Sequence, residues 1–253
     1  MMQSNTAFHL AGLTKRFGDF TAVDGVDLSI PVGSFYGLVG PNGAGKTTLI
    51  SMAVGIIRPD AGTSTVDGFD VWRDPVEAKT ALGVLPESDF LPRRLTGGEL
   101  LTSVGLLRGL AADVVAERAA ELLRILDLVG ASGTVVADYS TGMRKKVALA
   151  VALLHGPKVL VLDEPLESVD PVSASTIRTI LRGFTSTGGT VLFSSHVMPL
   201  VEALCDHVAI LSAGKVVASG TLDEVRAGRS LDEAFAEQIG SDPTQETLSW
   251  FTS

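Results

Sequence analysis

The stretch Gly40-Pro41-Asn42-Gly43-Ala44-Gly45-Lys46-Thr47-Thr48 decides the fold of this chain. It fits the pattern G-x-x-x-x-G-K-[ST], in which glycines let the backbone curl so that its N–H groups face a row of phosphates. An apolar run at 35–39 precedes the loop and a helical pattern at 49–54 follows it, which is the strand–loop–helix setting that this motif requires. We therefore predict a nucleotide-phosphate site. Lys46 is expected to reach the β- and γ-phosphates, and the Thr47 hydroxyl to hold Mg²⁺.

A second group of candidate residues follows the apolar run 159–162, which ends in Asp163 and Glu164. Uninterrupted apolar strands are typical of a parallel sheet that is buried on both faces, and function gathers at the carboxyl ends of such strands. We expect Asp163 to hold Mg²⁺, directly or through water, and Glu164 to polarise the attacking water. The alternative is a solvated strand end followed by a turn at Pro165.

Two further segments could belong to the same site. The apolar run 190–195 ends at His196, which could bind a γ-phosphate oxygen or be an ordinary structural histidine. A helical pattern over 144–154 is opened by Ser140, a good N-cap, and by Gly142, which leaves the backbone of the first turn bare. An anion-binding helix start and an ordinary helix start with a basic face both remain open for these residues.

Taken together, these segments resemble the nucleotide-binding subunit of an ABC transporter, in the family's order from about Leu10 to Val225. The resemblance gives Phe17 the place of the aromatic residue that stacks on adenine, and Glu87 the place of the Q-loop glutamine. The matching motifs are Walker A at 40–48, the signature at 139–143, Walker B with its catalytic glutamate at 159–164, the D-loop at 167–170 and the switch histidine at 196.

Departures from the family pattern carry information of their own. The signature reads Tyr-Ser-Thr-Gly-Met without the usual terminal glutamine, the segment 166–170 reads Leu-Glu-Ser-Val-Asp, and the Q-loop has Pro-Glu. Ser-x-Gly-Met together with Pro-Glu resembles the branch that exports drugs, polyketides, lipids or polysaccharides. For Glu87 we weigh a metal ligand beside Asp163, a solvated carboxylate, and a contact with the membrane partner, which we favour.

The fold class that we expect is α/β: a P-loop NTPase core with a mostly parallel sheet, an N-terminal antiparallel β subdomain and a helical subdomain at about 87–145. Alternating patterns at 8–13 and 20–30 predict strands. Thr96 and Glu99 predict a capping box, and the apolar spacing over 114–128 predicts a helix. We assign 1–228 to the ATPase domain and 229–253 to a C-terminal helix, at 231–239, and a tail. In the tail, Trp250 and Phe251 either pack on their own domain or contact a partner.

The composition bears on the compartment and the partners of the protein. The 253 residues include one cysteine, Cys205, which excludes an internal disulfide framework and which we interpret as a core residue. No apolar stretch approaches the length of about 18 residues that suggests a membrane span, so we expect any pore to be another chain. The net charge of −9 disfavours direct docking on nucleic acid or anionic lipid. We expect no nucleic-acid partner and a peripheral place on the cytoplasmic face of the membrane.

The resemblance implies an ATP- and Mg²⁺-dependent ATPase subunit that powers export through a separate permease. Two such subunits would sandwich ATP, with Ser140 and Gly142 of one closing over the γ-phosphate held by the other. The main alternative is an ABC-type ATPase that acts on DNA or in cell division, although the chain lacks sustained heptads. A second alternative is a P-loop kinase. A kinase would need an acceptor site and a lid, and would not need residues 139–143.

Overall fold

The computed structural model describes residues 6–85 and 91–239, which form two sheets with helices around them. The first sheet is antiparallel, with the strand order β2-β1-β4-β5. Its first two strands form a hairpin that turns at Gly18, where φ is +58°. The predicted strands at 8–13 and 20–30 are confirmed and prove longer. The strands are β1 (Thr6–Phe17), β2 (Phe20–Pro31), β4 (Ala61–Val66) and β5 (Phe69–Asp70).

The second sheet forms the centre of the fold. Its strands are β3 (Phe35–Val39), β6 (Leu82–Val84), β7 (Val159–Leu162), β8 (Thr190–Ser195), β9 (His207–Ser212) and β10 (Lys215–Thr221). Their order is β10-β9-β3-β8-β7-β6, and all neighbours are parallel except β10, which is antiparallel to β9. The mostly parallel sheet is therefore confirmed, with β7, β8 and β3 adjacent at its centre.

Helices pack on both faces of this sheet and fill the segment between β6 and β7. The predicted helices at 114–128, 144–154 and 231–239 are confirmed as α4, α5 and α9. They belong to the series α1 (Lys46–Ala53), α2 (Pro75–Ala81), α3 (Gly97–Leu107), α4 (Ala112–Ile125), α5 (Thr141–Leu153), α6 (Pro171–Ser186), α7 (Met198–Leu204), α8 (Leu222–Arg226) and α9 (Leu231–Ile239). None of the helices in the described ranges is long and apolar enough to cross a membrane.

The predicted capping box is also confirmed. The Glu99 amide donates to the Thr96 hydroxyl at 3.3 Å, and the Thr96 amide donates to the Glu99 carboxylate at 2.8 Å. These bonds satisfy N–H groups that have no partner inside the helix, so α3 begins at Gly97. The same backbone bond from Thr96 holds the pKa of the Glu99 carboxyl below its usual range.

Two apolar cores flank the central sheet, because successive residues of a strand face opposite sides. In β3, Phe35 and Val39 belong to the core with α3 to α7, whereas Tyr36 and Leu38 belong to the core with α1 and the antiparallel sheet. Burial on both faces explains why these strands read as unbroken apolar runs. Cys205 is buried as predicted, and burial raises the pKa of its thiol.

Candidate nucleotide-binding site

The loop between β3 and α1 depends on its glycines. Gly45 has a φ of +103°, and a Cβ there would lie 2.4 Å from the carbonyl oxygen of Ala22. A Cβ on Gly40 would lie 2.3 Å from the carbonyl oxygen of Leu211. The loop thus runs directly against β2 and β9, and any larger residue at either glycine would push it away from them.

Lys46 lies over this loop and is almost fully buried, with 7% of its side chain exposed. Its ammonium group donates to the carbonyls of Gly40 at 2.7 Å and Pro41 at 3.3 Å. It also lies 3.9 Å from the Glu164 carboxylate. A buried ammonium group requires such partners, and the anionic oxygens of a phosphate could take over the role of the carbonyls.

Asp163 and Glu164 follow β7, and His196 follows β8, the neighbouring strand. The Glu164 carboxylate lies 3.2 Å from Nδ1 of His196. The Glu164 backbone has a φ of +44°, a left-handed conformation that costs a non-glycine residue on the order of 1 kcal/mol. The Ser194 hydroxyl accepts from the Glu164 amide at 2.9 Å and donates to the Asp163 carboxylate at 2.5 Å.

Lys46, Glu164 and His196 line a cavity of about 340 Å³, within the usual size range of small-ligand sites, whereas Asp163 is not among its lining residues. The central strands explain the arrangement, because the carboxyl ends of β3, β7 and β8 meet at one edge of the sheet. The cavity is lined by Phe20, Ala22, Asn42, Gly43, Ala44, Gly45, Lys46, Thr47, Thr48, Glu164, Glu167 and His196.

Phe17, which the resemblance predicted to stack on adenine, lies beside the cavity lining and is not part of it. Its ring is half exposed, and the Lys15 ammonium lies 5.7 Å from the ring centre. Its partner across the β1–β2 hairpin, Phe20, does line the cavity and is 63% exposed. Sequence reasoning missed Phe20, although a second aromatic residue directly across the turn from Phe17 was a visible signal.

The signature residues lie elsewhere, at the start of α5. Ser140 is exposed and caps the helix by accepting from the Met143 amide at 3.2 Å. Gly142 is buried, and a Cβ there would lie 2.6 Å from the Asp170 carboxylate and 2.7 Å from the Ser173 hydroxyl. Neither Ser140 nor Gly142 is among the residues that line the cavity of their own chain.

The same helix contacts the segment after β7 through a different residue. The Lys145 ammonium donates to the backbone carbonyl of Glu164 at 3.0 Å. At the end of the loop that follows Glu164, Asp170 caps α6 by accepting from the amides of Val172 and Ser173. The bond from the Ser173 amide is the main reason why the pKa of the Asp170 carboxyl is lowered.

Two oxygen groups named from the sequence are of the kind that Mg²⁺ prefers. Thr47 offers a hydroxyl and Asp163 a carboxylate, both of which are hard oxygen ligands. Among the described residues, no group of three or more His, Cys, Asp or Glu side chains could hold a metal ion. Mg²⁺ is usually bound by one or two protein oxygens together with waters and substrate phosphates, and Thr47 and Asp163 are two such oxygen groups. Glu87 lies outside the described residues.

Comparison with known proteins identifies the family. The model of the family described as ABC transporter matches residues 23–167, which include the phosphate loop, the signature and both acidic residues after β7. The chain belongs to the ABC transporter family. This ABC protein is 38% identical over 243 residues to the daunorubicin resistance ATP-binding protein DrrA3 of Streptomyces coeruleorubidus, covering 94% of this chain and 77% of the relative.

Other relatives of the ABC chain give the same family. It is 36% identical to the linearmycin resistance ATP-binding protein LnrL of Bacillus subtilis, covering 83% of this chain and 67% of the relative. It is 33% identical to the Nod factor export ATP-binding protein I of Cupriavidus metallidurans, with coverages of 94% and 79%. A solved ATP-binding subunit of an ABC transporter superposes with a TM-score of 0.85 at 29% identity, covering 92% of this chain and 99% of the other. The predicted family, fold class and ATPase activity are thereby confirmed.

Proposed function

We propose that this subunit binds ATP·Mg²⁺ in the cavity at the carboxyl edge of the central sheet and uses its hydrolysis to power export through a separate membrane subunit. The observation that carries the proposal is the meeting of Lys46, Glu164 and His196, which lie far apart in the sequence. The Glu164 carboxylate lies 3.9 Å from the Lys46 ammonium and 3.2 Å from Nδ1 of His196.

In this proposal each residue has a distinct role. Lys46 neutralises the β- and γ-phosphates, and Thr47 and Asp163 hold Mg²⁺, which supplies charge neutralisation at the phosphates. Glu164 polarises the attacking water as a general base. His196, beside Glu164, contacts the γ-phosphate. Phe17 stacks on the adenine, with Phe20 next to it.

A second ATPase subunit completes the site in this proposal. Ser140 is exposed at a helix start, and small residues follow it, which suits binding of an anion on another chain. Ser140 and Gly142 of one subunit therefore close over the γ-phosphate held by the other. The division of the chain at residues 228 and 229, the helical subdomain at about 87–145 and a partner-facing Glu87 remain parts of the proposal.

The direction of transport rests on the relatives. Proteins named for daunorubicin resistance, linearmycin resistance and Nod factor export are among those most similar to this chain. These names favour a transport role over one in DNA maintenance or cell division, and they support a peripheral position on the cytoplasmic face of the membrane.

The proposal is tested by producing this chain together with the membrane subunit whose gene lies nearest to its own. A tagged chain should retain that subunit through purification in mild detergent. Inverted membrane vesicles that contain both chains should take up the cargo only when ATP is hydrolysed, and the Lys46→Ala chain should assemble equally well without driving uptake. An active ATPase that retains no membrane protein would overturn the transport role.

A further inference from the structure

Ser194 occupies an unusual position between the two acidic residues of the site. Its side chain is fully buried at the end of β8, with 0% exposed. The hydroxyl donates its proton to Oδ1 of Asp163 at 2.5 Å and accepts from the backbone amide of Glu164 at 2.9 Å. One hydroxyl thus binds two successive residues of the neighbouring strand end.

We propose that Ser194 is a positioning residue that fixes the metal-binding carboxylate of Asp163 and the backbone of Glu164 together. This inference rests on the proposed ATP·Mg²⁺ site and adds to it a residue outside the family motifs quoted above. A short bond from a hydroxyl to a carboxylate is strong and directional, so holding Oδ1 sets the plane of the Asp163 carboxylate. The direction of its second oxygen is then fixed as well.

The bond to Glu164 has a separate effect. The Glu164 backbone lies in the left-handed region, with a φ of +44°, and such a conformation persists only where its surroundings hold it. Three hydrogen bonds hold the Glu164 backbone in the described part of the chain. Its amide donates to Ser194, and its carbonyl accepts from Lys145 at 3.0 Å and from the Glu167 amide at 3.2 Å. The hydroxyl therefore couples the orientation of the metal ligand to the position of the general base.

The test is Ser194→Ala, with nucleotide binding as the readout. A fluorescent, non-hydrolysable ATP analogue is titrated at a series of Mg²⁺ concentrations. Loss of a residue that orients a metal ligand typically costs about 10- to 100-fold in metal affinity. We expect the Mg²⁺ concentration for half-maximal tight binding to rise by about tenfold or more, while metal-free binding of the analogue stays within about twofold of the parent.

Two variants separate positioning from structural support. Ser194→Thr keeps the hydroxyl and should recover most of the Mg²⁺ response. Ser64→Ala is the matched control, because Ser64 is equally buried and its hydroxyl donates to the carbonyl of Ala53 at 2.8 Å. It should lose stability without a change in the Mg²⁺ response.

An Mg²⁺ response of Ser194→Ala equal to that of the parent would overturn the inference. If Ser194→Ala does not fold, Ser194→Cys takes its place, because a cysteine side chain is similar in size to serine and its S–H is only a weak donor. A parent-like Mg²⁺ response of Ser194→Cys would then overturn the inference. A parent protein whose analogue binding ignores Mg²⁺ would instead overturn the ATP·Mg²⁺ site itself, so the two failures are distinguishable.

Discussion

Glu164 is the proposed general base, and its side chain has two polar neighbours. Its carboxylate lies between the Lys46 ammonium and the His196 ring, and its backbone is held in the left-handed region. Glu164→Gln keeps the shape and much of the hydrogen bonding but removes the base. We expect ATP to bind normally and steady-state hydrolysis to fall by about 100-fold or more. The measurement is phosphate release at saturating ATP, together with an equilibrium binding titration.

The same change at Glu77 controls for the loss of one negative charge. Glu77 is exposed in the first turn of α2, and Glu77→Gln should hydrolyse ATP at nearly the parent rate. If Glu164→Gln also hydrolysed at that rate, another residue would have to act as the base.

The two phenylalanines at the hairpin end make a second prediction at the scale of single residues. Stacking of an aromatic ring on a base is worth roughly 1–3 kcal/mol, so Phe17→Ala should weaken ATP binding by roughly 5- to 150-fold. GTP should bind the parent within about tenfold of ATP, because stacking barely distinguishes bases. Phe20→Ala is the informative comparison, since only Phe20 lines the cavity. A large loss in Phe20→Ala with none in Phe17→Ala would assign the base contact to Phe20 instead.

The sequence identifies most of the residues around the cavity, because the phosphate loop and the strand-end acids lie in short, recognisable segments. It does not reveal Phe20 or Ser194. Phe20 faces the cavity only because the β1–β2 hairpin is paired so that Phe17 lies opposite Phe20. Ser194 is a serine in an apolar strand, and its contacts with Asp163 and Glu164 depend on β8 lying beside β7. Both are consequences of tertiary pairing rather than of local pattern.

At the scale of elements, the packing of α7 on β3 depends on Gly37. A Cβ at this position would lie 2.7 Å from a methyl group of Val201 and 3.0 Å from the sulfur of Cys205. Overpacking of this kind typically costs about 1–3 kcal/mol, so Gly37→Ala should lower the free energy of unfolding by that amount. Urea-induced unfolding measured by circular dichroism would report the change.

Gly183 provides the opposite case within α6. A Cβ there would meet nothing within 4 Å, and the residue is exposed in the helix. Gly183→Ala should therefore stabilise the protein by about 0.5–1 kcal/mol, because alanine loses less backbone entropy in a helix. Equal effects of the two substitutions would show that the contacts of Gly37 with α7 do not limit the packing.

Element boundaries show where local signals suffice and where they do not. The start of α3 is read correctly from Thr96 and Glu99, because the capping bonds involve only neighbouring residues. The start of α5 is also local, since Ser140 caps it. The reason for a small residue at Gly142 is not local. It lies in the contact with Asp170 and Ser173 at the start of α6, which tertiary packing brings against α5.

At the scale of the whole molecule, the proposed sandwich predicts that defects in separate chains can complement each other. Ser140→Arg damages the surface offered to the partner, whereas Lys46→Ala damages the chain's own phosphate site. In a mixed dimer, one composite site carries both defects and the other carries neither. Mixing the two inactive chains should therefore restore part of the ATPase activity.

Tandem-tag purification of the mixed dimer is the necessary control for this experiment. Purified mixed dimers with no activity, tested beside a mixed dimer of parent and double-variant chains that is active, would contradict the shared site. The second mixture places both defects in one chain. Shared sites would then carry one defect each and be inactive, whereas sites confined to single chains would leave the parent chain active.

Helix α5 joins a proposed contact with the neighbouring subunit to an observed contact within its own chain. Its first turn, at Ser140, faces the neighbour's nucleotide in the proposed pair, and its Lys145 donates to the Glu164 carbonyl of its own chain. In the proposed pair, one helix thus contacts both nucleotide-binding sites. Movement of its first turn on binding one ATP would be transmitted to the base that acts on the other, so the rate of hydrolysis at each site would depend on whether the other site is filled.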